Sequence, residues 1–219
     1  MAFIDESSIL EGITKSDRID FTMLEESAFQ SEEDYHLLGK IFQNLSSNKV
    51  ADAILYSRLS QRLEYLSSDE NSIDSEIIRE DMENVSEILD EHSEEEFEFF
   101  KDVFSLAMEL GLACDMDYTT IPEASSRKFQ SFQEMIDFVQ TRELQSLYKF
   151  YTLFKVLKNN SVLTELSEEA QLDYLNIVKS IVLKEIEHFE ELAEYSDVGQ
   201  NRETQDLIKK IQNDTEGDL

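Results

Sequence analysis

The chain has 219 residues, 41% of them hydrophobic, which is enough for one buried core and leads us to expect a single domain over residues 1–219. Its 49 acidic and 19 basic residues give a formal charge of −30, which repels phosphate backbones and anionic lipid surfaces and so excludes ordinary nucleic-acid binding. One proline and five glycines are too few turn-formers for a strand-rich fold, and one cysteine, Cys114, excludes an internal disulfide or a cysteine–zinc cluster.

The N-terminus, Met1-Ala2-Phe3-Ile4-Asp5-Glu6, lacks the basic stretch and apolar run of a secretory signal. No stretch nears the roughly 18 uninterrupted apolar residues of a membrane span. With the isolated cysteine, these features lead us to expect a soluble protein of a reducing, cytoplasmic compartment and no membrane partner.

Short helical pieces are expected within the first 28 residues. Serines followed by acids then mark helix starts, since the hydroxyl accepts from free backbone N–H groups and the acids suit the positive end of the helix dipole. Such starts occur at Ser31, Ser93, Ser131 and Ser167, and those at Ser93 and Ser131 have the Ser-x-x-Glu spacing of a capping box. They predict helices over about 31–46, 50–67, 74–110, 131–158 and 167–196, with a last piece at about 202–212. Whether 74–110 is one helix or breaks at Ser93 is left open. Gly111, Asp115, Thr119, Thr120, Pro122, Ser125 and Ser126 mark 111–130 as a connection, and 213–219 reads as a frayed acidic tail. The fold class is therefore all-α, a multi-helix bundle.

Steps of three and four residues place the buried faces. From Phe132 the walk meets Ile136, Val139, Glu143, Leu147, Phe150, Phe154 and Leu157, an apolar seam with one acid. From Tyr174 it meets Val178, Ile181, Glu185, His188, Leu192 and Tyr195, so an acid and a histidine sit on adjacent turns. If 74–110 is continuous, Met82, Val85, Leu89, His92, Glu96, Val103 and Ala107 share a face, and His92 and Glu96 point inward as well. In so acidic a chain, chance alone puts about one or two acids on a seam of eight positions, where a salt bridge or a wet seam edge would accommodate them. Several buried carboxylates together need cations, protons or histidines, and a shared divalent metal would satisfy them at once. His36, three residues after Glu33, stands beside the apolar line of Leu38, Ile41, Phe42 and Leu45 and is expected to face solvent.

Glu143, followed by Tyr148-Lys149-Phe150-Tyr151, and Glu185-Ile186-Glu187-His188 make the segment 131–196 resemble a helical hairpin of the ferritin-like, rubrerythrin-type carboxylate proteins. The resemblance implies a four-helix core with additional N-terminal helices, and a site for two iron or manganese ions engaged in redox chemistry or metal handling. The metal ligands it implies are Glu143, Glu185 and His188, with His92 and Glu96 from the earlier helix. The second hairpin departs from that pattern, because Leu89 stands where a ligand Glu would precede His92; the site is then complete only if Glu96 substitutes, and otherwise degenerate. Carboxylate and imidazole donors suit iron and manganese.

The charge and the aromatic-rich seams support another reading, a non-enzymatic acidic helical module or assembly factor that binds a basic protein. A second copy of the chain, as a homo-oligomer, is the other partner left open. No glycine-rich phosphate loop, Gly-x-Ser-x-Gly elbow or paired Cys and His supports nucleotide binding or nucleophilic hydrolysis.

Overall fold

A computed structural model describes residues 32–68, 76–110, 128–159 and 167–217. Among them run five α-helices: α1 (Glu32–Ser68), α2 (Glu76–Glu109), α3 (Phe132–Asn159), α4 (Glu168–Leu192) and α5 (Arg202–Glu216), with a 3-10 turn at Ala193–Tyr195. The described residues form no strand, and the protein is an all-α multi-helix fold. None of their helices is long and apolar enough to cross a membrane. The pieces expected in the first 28 residues, Cys114 and most of the 111–130 connection lie outside the described residues, as does the side chain of His36.

The chain divides into two compact units, one spanning His36–Met135 and the other containing Ile136–Leu219. In the first, α1 and α2 form an antiparallel pair. Lys49 meets Glu96, the carbonyl of Ala53 meets Ser93, and Ser60 meets Ser86, so numbers rise on one helix as they fall on the other. Leu38, Ile41, Phe42, Leu45, Leu55, Tyr56, Leu59 and Leu63 are buried on α1, and Val85, Leu89, Val103 and Leu106 on α2.

One expectation about this unit changes. The break expected between 46 and 50 does not occur, because the Ser46 and Ser47 hydroxyls donate to the Gln43 carbonyl and the helix runs through. Back-bonding of this kind keeps a Ser-Ser pair inside a helix that local propensity would end. The question left open at Ser93 is also answered. Its hydroxyl donates across to the Ala53 carbonyl at 2.9 Å instead of capping a new start, and α2 is continuous.

The second unit is built on α3 and α4, also antiparallel. Asp137 Oδ1 accepts from Ser196 Oγ and the Asp197 amide, the Gln140 side chain donates to the Phe189 carbonyl, and Ser146 donates to Glu185. The caps expected at the starts of α3 and α4 are present. Ser131 Oγ accepts from the Glu134 amide, Glu134 accepts in turn from the Gln130 amide, and Ser167 Oγ accepts from Ala170. The last helix runs beyond the expected 202–212 to Glu216, because Thr204, Ile208, Ile211 and Thr215 form a buried stripe along it and Tyr151 donates to Asp214 at 2.6 Å. The frayed tail expected from 213 is thus helical over its first residues. At the turn into α5 a Cβ on Gly199 would lie 2.4 Å from Ala193 Cα, so only glycine permits that approach.

Candidate metal centre

Glu143 on α3 and Glu185 and His188 on α4 have the inward positions that the three- and four-residue walks assign them. Glu143 and Glu185 are 0% exposed and His188 1%. Their neighbours on the seams, Val139, Leu147, Ile181 and Leu192, are fully covered, so the helices rotate these ionisable groups inward as part of an apolar face. Such a covered Leu, Ile or Val contributes roughly 1.5–3 kcal/mol, and rotating the face outward to hydrate one carboxylate would expose several of them.

One ligand atom from each of the three groups lies within 4.8 Å of the others. The His188 Nδ1 to Glu143 Oε2 distance is 3.9 Å, too long for a hydrogen bond. Two ligands about 2.1 Å from one tetrahedral ion stand roughly 3.4 Å apart. Ser146, three residues after Glu143 and so on the adjacent turn of α3, donates to Glu185 Oε1 at 3.1 Å and fixes the orientation of that carboxylate. The described residues thus contain a buried Glu/His group that can hold a metal ion.

His92 and Glu96 are each 1% exposed on α2, as the continuous helix requires. Glu96 Oε1 accepts from Lys49 Nζ at 2.9 Å, and Lys49, itself 1% exposed, lies 5.5 Å from the centre of the Phe99 ring. The His92 ring stands edge to face with Tyr56, 6.5 Å between centroids. Glu96 therefore has a cation from α1 as a partner.

Sequence reasoning missed Lys49 because the segment around it reads as an interhelical connection. On an unbroken helix, Leu38, Phe42, Leu45, Lys49, Ala53 and Tyr56 keep three- and four-residue steps, and the same walk would have found it. Ser146 carried no comparable signal, since a serine one turn from an acid is common on any helix.

No family model, curated protein or solved structure matches this chain. Two carboxylates and one imidazole form a hard to borderline set of the kind that suits iron or manganese.

Proposed function

We propose that the protein carries a divalent metal centre, iron or manganese, at Glu143, Glu185 and His188, and acts in redox chemistry or metal handling as a ferritin-like carboxylate protein with a complete or degenerate site. The observation that carries this reading is the gathering of three buried donor groups within 4.8 Å of one another on two antiparallel helices. Leaving two carboxylates ionised in such a place costs several kcal/mol per charge after relaxation. A divalent cation offsets that cost, and the seams around it exclude bulk water. A bound ion of this kind supplies Lewis acidity and one-electron chemistry with oxygen or peroxide. The protein's part is to hold the carboxylates and the imidazole at fixed angles, and Ser146 sets that of Glu185.

Metal analysis of the purified protein, with Glu185→Ala and His188→Ala alongside, tests the reading. Iron or manganese near stoichiometric in the wild type and lost in both variants supports it; metal content that the substitutions leave unchanged removes it. His92→Ala and Glu96→Gln in the same assay determine whether the buried pair on α2 also contributes ligands.

A second reading rests on the outer face of α2. Phe97 and Met108 are 47% and 46% exposed and stand in line with Phe100 and Phe104; the Phe97 and Phe100 rings are 5.6 Å apart and those of Phe100 and Phe104 5.5 Å, each pair tilted. Glu94, Glu98 and Asp102 lie on the same helix, and burial together with the Glu98 charge raises the Asp102 carboxyl above its ordinary pKa. An apolar line beside crowded acids suits an amphipathic basic segment of a protein partner. Capture of a basic amphipathic peptide that weakens with added salt and is lost in Phe97→Ser supports this docking face. Absence of binding at low ionic strength removes it.

A further inference from the structure

We propose that Gln140 belongs to the same centre, as the acceptor for an O–H or N–H group of a small ligand, water included, held there. This rests on the metal reading of Glu143, Glu185 and His188.

The Gln140 side chain is 0% exposed, and its Nε2 donates to the Phe189 carbonyl at 2.9 Å. A carbonyl only accepts, so the amide cannot be turned end for end and the position of Oε1 is fixed by chemistry. That oxygen is buried and accepts no hydrogen bond among the described residues. A buried acceptor left unmet costs about 1–3 kcal/mol, and folded proteins rarely tolerate it without a ligand or water in place.

The location makes the ligand centre the natural source of a donor. Gln140 precedes Glu143 by three residues, which puts the two on adjacent turns of one face of α3, and Phe189 directly follows His188 on α4. One end of the amide is tied to the backbone beside a metal ligand, and the other end needs a proton to accept. If the residue served only to join the helices, the same hydrogen bond could come from a side chain with no second polar atom to bury. A neutral acceptor here favours ligands that carry a hydrogen over bare anions of the same size.

The test uses the full-length protein loaded with Mn(II). Wild type, Gln140→Leu and Gln140→Met are compared by Mn(II) titration, by proton couplings at the bound ion in H2O and D2O, and by apo-protein Tm. Methionine keeps the unbranched shape and volume without the oxygen, so a poorly folded leucine variant does not decide the outcome. The expected result is exchangeable-proton couplings in the wild type that are lost or shifted in a folded variant, with affinity about tenfold weaker. Unchanged affinity and unchanged couplings overturn the assignment and leave the metal reading standing, and so does a lower apo Tm with metal binding intact. Wild type that takes up no Mn(II) removes the metal reading, and the Gln140 assignment with it.

Discussion

Glu185→Gln should raise the stability of the apo protein and shrink the further stability that metal adds. The carboxylate oxygens of Glu143 and Glu185 that could share an ion lie within 4.8 Å of each other. At that separation and an effective dielectric of about 20, two full charges repel by about 3 kcal/mol. The substitution keeps volume and still lets an amide oxygen accept from Ser146, which donates to Glu185 Oε1 in the wild type. Removal of the repulsion should therefore stabilise the apo protein by at most about 3 kcal/mol at a pH where both carboxylates are ionised. Metal stabilises the wild type and, with one ligand lost, adds less to the variant. At a free concentration of about 100 times Kd, an ion that binds only the folded state adds about 2.7 kcal/mol. For 219 residues, with an unfolding entropy of about 2 cal/mol/K per residue, either effect corresponds to about 6 °C in Tm. Differential scanning calorimetry of chelated and Mn(II)-saturated samples measures both. Wild type should gain about 6 °C with metal, whereas Glu185→Gln should begin higher and gain little. Equal gains in the two proteins, or an apo variant that melts several degrees below wild type, would refute the electrostatic account.

Ser146→Ala removes the donor to Glu185 Oε1. It should weaken Mn(II) binding about tenfold, measured by titration, while chemical denaturation shows a stability loss of only about 1 kcal/mol. Lys49→Met leaves the 1%-exposed Glu96 without its ammonium partner; urea unfolding should show a loss of about 3–5 kcal/mol, largely recovered when Glu96→Leu is added. Asp102 has a raised carboxyl pKa, so its ionised form is disfavoured in the folded state relative to the unfolded one. Asp102→Asn should therefore raise Tm by about 1–2 °C near neutral pH. The gain should fade as pH falls below the ordinary carboxylate range, where aspartate is protonated in both states; a gain that persists there would contradict the assignment.

Composition and period were enough to determine an all-α protein and most of its helical faces. One proline, five glycines and sustained three- and four-residue steps leave no other class, and Glu143, Glu185, His188, His92 and Glu96 lie buried on the faces the steps assign. This succeeds because covering apolar side chains fixes the rotation of a helix, and any residue in phase with them is carried inward. The sequence was a poor guide to continuity. Ser46-Ser47 read as an end and Ser93 left the choice open because serine competes for backbone hydrogen bonds locally, yet the hydroxyls bond to Gln43 and across to Ala53 inside unbroken helices. Partnership was decided only by tertiary structure. The Lys49–Glu96 pair spans 47 positions, the Gln140–Phe189 bond 49 and the Ser146–Glu185 bond 39. Helical period specifies which way a side chain points and carries nothing about which residue of another helix it meets. That depends on the register in which antiparallel helices settle, and register is set by the fit of whole faces.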